Sequence, residues 1–191
     1  MPLRVSFNLG DEDLRHFEEV AQQTQAIARE QPAEAIISGA ARILASGESA
    51  HAAAFVRERF ARLRVMIDMA TDPDWQPREE DRQRIINALA CFSTPTANEA
   101  TAGVGLLDHG IMIELVSRDL EHDIEAYQAF SKFRASQLTK RRRPGADQDE
   151  QRDQWLTQKR IELHTRMRER RQRDLDRAGS SVRKLFSLFG L

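Results

Sequence analysis

A chain of 191 residues, 40% hydrophobic and 31% charged, suits a soluble globular protein built around one domain. Its longest apolar runs, such as GIMIELV, fall far short of the roughly 20 residues a spanning helix needs, its opening MPLRVSFNLG has no apolar signal region, and its only cysteine, Cys91, excludes an intramolecular disulfide, so a cytoplasmic setting is expected. The net charge of −1 hides a split: residues 1–137 hold 14 Lys and Arg against 22 Asp and Glu, a balance of −8, while residues 138–191 hold 15 against 8, a balance of +7.

Residues 3–9 alternate Leu3, Val5, Phe7 and Leu9 with polar positions, a strand pattern too short to stand alone, and so predict an extended arm. Asp11 then opens a helix with acids in its first turn and a stripe of Leu14, Phe17, Ala21 and Ala28 reaching about Glu30. Pro32 suits a first helical position, and Ile36, Ile37, Ala40, Ile43 and Leu44 carry a second helix to a stop at Gly47. A third, capped by Ser49, buries Phe55, Phe60, Leu63 and Ile67.

The turn TDPDWQP at 71–77 breaks that helix with two prolines. Glu79 begins the fourth helix, with Ile85, Ile86, Leu89 and Phe92 on its apolar face, and Pro95, Gly103 and Gly105 force an irregular connection after it. From beside Asp108 to Arg134 the apolar residues Leu107, Ile111, Leu115, Leu120, Ile124, Tyr127 and Phe130 predict one long helix, apolar nearly all round in its first half. Beyond it, KRRRPGADQDE reads as a charged linker. An Arg-rich helix follows from about 149 to 177, with only Trp155, Leu156, Leu163 and Met167 to bury.

The expected fold is therefore all-α: a compact five-helix bundle-like domain over 1–137 with a short N-terminal extended arm, a linker over 138–148, and a long basic C-terminal helix with an amphipathic tail over 149–191. Phe17, Ile36, Phe60, Leu89, Ile111 and Leu115 are its expected core.

The central stretch resembles the YkvA-like family, bacterial proteins without an assigned activity. The resemblance is carried by Ala88-Leu89-Ala90, Pro95, Gly105-Leu106-Leu107-Asp108, Ile111 to Val116, and Glu125-Ala126-Tyr127. It implies a helical domain of unknown function and no particular chemistry. The chain departs from the pattern in its 96–102 loop, which lacks the proline and aspartates of relatives, in Leu106, which replaces an aromatic residue, and in His109, which replaces the second Asp of an Asp-Asp pair.

Three charged features are the candidate sites. Asp108 and His109, with Glu114, Asp119 or His122 further along, carry ligand types suited to a divalent metal, but His122 lies about 20 Å along the same helix from His109, which favours a capping Asp108 and a half-exposed His109. Glu114, set among Ile113 and Leu115, calls for a cationic partner, and Arg118 at i+4 is the nearest, giving a structural brace. No nucleophile with an activating base, phosphate loop or cofactor motif is present; Cys91 sits in apolar LACF, and GVG lacks the lysine of a phosphate loop.

The basic arm is the strongest positive feature. Arg141, Arg142, Arg143, Arg166, Arg168, Arg170, Arg171 and Arg173 suit an anionic partner, either a nucleic acid, an anionic membrane surface or an acidic protein. In the tail, Leu185, Phe186 and Phe189 share one helical face that suits a membrane interface at the inner face of a bacterial cell. The expected function is a non-enzymatic binding or scaffold role. The alternatives are membrane association through the tail, nucleic-acid association, and an enzyme or metal protein using Asp108 and Glu114.

Overall fold

The computed structural model describes residues 29–49, 54–93, 104–139 and 146–177, with six further positions between 12 and 26; side chains at 48, 49, 55, 104–108, 138, 139 and 146–149 are not described. The chain is all-α, with no strand among the described residues. Its helices are α1 (Ala33–Ser49), α2 (Ala54–Thr71), α3 (Glu79–Ala90), α4 (Val104–Asp119), α5 (Glu121–Thr139) and α6 (Ala146–Arg177). The expected arm at 3–9 and the stripe of Leu14 and Phe17 lie outside the described residues. Glu12, Arg15, Glu19, Gln22, Gln23, Ala26, Arg29 and Glu30 are helical and exposed.

α2 is the centre of the packing, touching α1, α3, α4 and α5. Phe60, Leu63, Met66 and Met69 recur every third residue along it and are all buried, so one α2 face supplies the middle of the core. Around it lie Ile36, Ala40 and Leu44 of α1, Ile85, Ile86 and Leu89 of α3, Met112, Ile113 and Val116 of α4, and Ile124, Tyr127 and Phe130 of α5. Ile111 and Leu115, expected in this core, are only half-buried because Met112, Ile113 and Val116 take the inward arc of α4.

Two glycines set how closely helices approach. A Cβ on Gly39 would lie 2.6 Å from the Cα and carbonyl oxygen of Ser93, so α1 rests directly on the backbone that follows α3. Gly39→Ala is therefore expected to destabilise the fold by about 1–3 kcal/mol, as overpacking against backbone does; an unchanged urea midpoint would place α1 farther away. Gly47 does not stop its helix as expected. It sits buried inside α1, where its missing side chain makes room for the Phe60 ring.

The single helix expected from Asp108 to Arg134 is two, α4 and α5, bent at Leu120. Main-chain bonding continues through the bend, from Leu120 N–H to the Val116 carbonyl (3.1 Å) and from Ile124 N–H to the Leu120 carbonyl (2.8 Å). At this junction the Arg84 guanidinium reaches the Asp119 carbonyl at 3.5 Å.

The turn between α2 and α3 is itself anchored. Asp72 Oδ1 accepts the Asp74 N–H (3.0 Å), Gln76 takes a positive φ of 43°, and Trp75 swings inward to 1% exposure. Its indole meets Tyr127 and Phe130 of α5 and His164 of α6, with ring centroids 5.5, 5.4 and 4.2 Å away. α6 packs chiefly against α5, completing the described structure.

Candidate functional site

α6 docks through a narrow apolar seam flanked by charge. Leu156, Leu163 and Met167 are buried as the spacing predicts, but Trp155 is 51% exposed, the reverse of the expectation, because the seam advances by seven and then four residues and leaves position 155 outside. Arginines expected to face an external partner turn inward instead. Arg168 and Arg171 both grip Asp81 of α3, at 3.3 and 2.7 Å, and Arg171 also approaches Asp123 of α5 at 3.6 Å. From the other side Arg84 of α3 reaches Asp123 (3.4 Å) and Asp119 (3.7 Å). Three carboxylates thus meet three guanidiniums in one largely buried cluster joining α3, the α4–α5 bend and α6.

The balance of charge does not make every member comfortable. Both Asp119 oxygens are buried and accept no hydrogen bond, and burial pushes its carboxyl up to about 7 despite Arg84. Burial likewise raises Asp123 to about 6, with Arg84 opposing and Asp81 reinforcing the shift. His164, buried against Trp75, moves the other way, to about 4, through desolvation and then the charge of Arg168.

The consequences for stability oppose one another. Asp119 and Asp123 keep protons when folded that the unfolded chain releases above its carboxylate pKa, so their contribution to stability falls as pH rises from about 4 to 7. His164 lacks a proton when folded that the unfolded chain holds, so its contribution rises between about 4 and 6.5. Above 6.5 the Asp119 loss is the largest that remains, offset in part by the last of the His164 gain. Urea midpoints are expected to correspond to a stability lower at pH 8 than at pH 6.5 by roughly 0.5 kcal/mol, and Asp119→Asn should remove that fall. A midpoint rising steadily across the same range would refute the assignment.

Further contacts extend the docking surface. Arg170 pairs with Glu125, Asp174 with His122 at 2.6 Å, Arg160 donates to the Asp74 carbonyl (3.1 Å), and the Lys159 ammonium stands 6.0 Å from the Phe133 ring centroid. Beneath them Asp72 gathers the Tyr127 hydroxyl (3.0 Å) and Arg134 (2.7 Å). Burial opposes ionisation of Asp72, but hydrogen bonds from Arg134, the Asp74 backbone and Tyr127 outweigh it and hold the carboxyl below its usual range.

Glu114 has more cationic partners than its own helix supplies. Arg118 donates to Oε1 at 3.3 Å, while Arg59 (3.1 Å) and Arg62 (3.0 Å) of α2 converge on Oε2. His109, expected half-exposed, is 8% exposed. The side chain of Asp108 lies outside the described residues, as do Arg141, Arg142, Arg143, Leu185, Phe186 and Phe189. No group of three or more His, Cys, Asp or Glu is arranged to hold a metal among the described residues. Arg166 is exposed, and Arg173 bonds the Glu169 carbonyl of its own helix (3.2 Å).

Asp81, Arg84 and Asp123 were not among the residues the sequence singled out, and Asp119 entered only as a possible metal ligand. The signal available was weak: two acids four apart across Leu120, and an Asp-Arg pair three apart in α3, patterns shared with any solvated helix face. Compared with known proteins, the chain matches no family model, no curated protein and no solved structure.

Proposed function

We propose that this chain is a non-enzymatic binding or scaffold protein of the YkvA-like type, cytoplasmic or peripheral at the inner membrane, whose basic C-terminal region engages an anionic partner. The observation that carries this reading is the inward grip of Arg168, Arg170 and Arg171 on Asp81 and Glu125. The arm is already an anion-binding element, and the anions it holds are those of its own domain. An external partner competes for the same guanidiniums and adds Arg141, Arg142, Arg143 and the apolar tail residues.

Nucleic acid is the less favoured partner. Among the described side chains of the docked α6, the exposed charges are Glu150, Asp153, Glu162, Glu169, Asp174 and Asp176 against Arg166, Arg173 and Arg177, so its outer face leans acidic and disfavours a phosphate backbone. No helix among the described residues is long and apolar enough to cross a membrane. Membrane association would then be peripheral, through the tail.

Co-sedimentation of the full-length protein with anionic vesicles and with duplex DNA, at low and high salt, tests the reading. Vesicle binding that weakens with salt and disappears on removal of residues 182–191 is expected, with weaker DNA binding. Charge reversal at Arg168, Arg170 and Arg171 should release α6 and speed protease cleavage within 140–145. Unchanged binding and unchanged cleavage would remove the support for an anion-directed arm.

A further inference from the structure

The three carboxylates under α6 are unequally served. Asp81 accepts Arg171 on Oδ1 and Arg168 on Oδ2. Asp119 and Asp123, one helical turn apart, share the single guanidinium of Arg84. Its Nη1 bonds Asp123 Oδ2 at 3.4 Å, while its Nη2 takes the Asp119 main-chain carbonyl at 3.5 Å and stands 3.7 Å from the Asp119 carboxylate. Both Asp119 oxygens and Oδ1 of Asp123 are buried and accept no hydrogen bond among the described residues. A dry carboxylate without donors is costly as an anion and much less so as a neutral acid.

α6 is the element that keeps this place dry. Arg170 lies beside Glu125 and Asp174 beside His122, so α6 runs antiparallel to α5 and its last turn comes level with the α4–α5 junction. Arg171 approaches Asp123 Oδ1 only to 3.6 Å, too far for a hydrogen bond, and its Nη1 is buried and unbonded as well. Lifting α6 admits water to the two acids; seating it expels that water. A seated α6 therefore retains a proton that a lifted one gives up, and by linkage loss of the proton favours lifting. Burial raises both carboxyls in the same sense. The other charged groups facing the pair are Asp81 and Arg84 of α3, His122 of α5, and Arg168, Arg171 and Asp174 of α6. His164 of α6 opposes the pair, because lifting lets its desolvated imidazole take up a proton below about 6.5.

We propose that Asp119 and Asp123 form a proton-held latch for α6: while the pair keeps a proton the helix stays seated, and as the proton leaves α6 lifts more often, freeing Arg168, Arg170 and Arg171. The latch regulates the arm invoked under the proposed function and rests on that reading for its use, though not for its existence.

Hydrogen exchange of the full-length protein, read by mass spectrometry at pH 5 and pH 8 and corrected for intrinsic rates, tests this. Peptides of α6 are expected to open more readily than those of α2. Their opening constant should rise roughly tenfold from pH 5 to pH 8, the two carboxyls outweighing His164. Asp119→Asn keeps the shape and removes the titrating group, so α6 should open less often than in wild type at pH 8, and the rise with pH should vanish. Glu121→Gln, at an exposed acid two residues away, should retain the rise. An α6 that opens only as rarely as α2, a wild-type opening constant that is flat or falls with pH, or an Asp119→Asn variant that keeps the rise would each overturn the latch. No partner is present in these measurements, so failure of the latch and failure of vesicle binding are told apart.

Discussion

Replacing Asp81 with alanine is expected to destabilise the protein by about 3–5 kcal/mol, the cost of stranding buried charge. Asp81 is 2% exposed and receives both Arg168 and Arg171, whose side chains are about three-quarters covered. Without the carboxylate, two guanidiniums face a region too dry to solvate them, and Asp123 at 3.6 Å from Arg171 is already engaged by Arg84. Much of the loss should appear as release of α6, read by faster proteolysis within 140–145. Adding Arg171→Leu to Asp81→Ala should recover part of the stability, because removing both charges avoids the penalty that removing one creates. A loss under 1 kcal/mol, with no recovery in the double variant, would mean that the cluster is solvated and ordinary.

Trp75→Ala is expected to cost a similar 3–5 kcal/mol, for a different reason. The indole fills the space where the α2–α3 turn, α5 and α6 meet, and truncation leaves a cavity lined by Tyr127, Phe130 and His164. Water entering that cavity should also return the His164 pKa from about 4 toward its ordinary value, since desolvation is the first cause of its depression. Chemical denaturation and proton NMR of the imidazole measure the two effects separately. A small stability loss with His164 still depressed would show that neighbouring residues close over the gap.

The helices from Ala33 to Ala90 were legible because Pro32, Pro73 and Pro77 stand at their limits and apolar residues recur on one face, as with Ile36, Ala40 and Leu44. The bend at Leu120 was not. Leu120 belongs to the same apolar stripe as its neighbours and carries no breaker; Arg84, which contacts the main chain there, is 35 residues away in sequence. Glu114 shows the same limit within one residue: Arg118 follows from the i+4 rule, whereas Arg59 and Arg62 arrive from 55 and 52 residues upstream.

The basic arm was the hardest part to read. Its arginines alternate with acids at helical spacing, and such a face looks solvated until the carboxylates opposite it are known. Asp81, Asp123 and Glu125 lie on α3 and α5, 45 or more residues from the arginines they meet, so net charge alone pointed outward. Trp155 misled in a related way. Of the two tryptophans, the turn residue Trp75 is the buried one, because a short turn between two packed helices can deliver a large ring inward without interrupting a helix.

The Asp81 contacts with Arg168 and Arg171 span 87 and 90 residues of chain. Closing so long a loop is entropically expensive, whereas α5 and α6, adjacent in sequence, need close only a short one. The hairpin of α5 and α6 is therefore expected to form before the pairs that fasten it to α3. If so, weakening those pairs should leave the folding rate nearly unchanged and accelerate unfolding, which stopped-flow refolding and unfolding of Asp81→Ala would read. The charge cluster would then act as a timer, setting how long the C-terminal helix stays seated once the rest of the chain has folded.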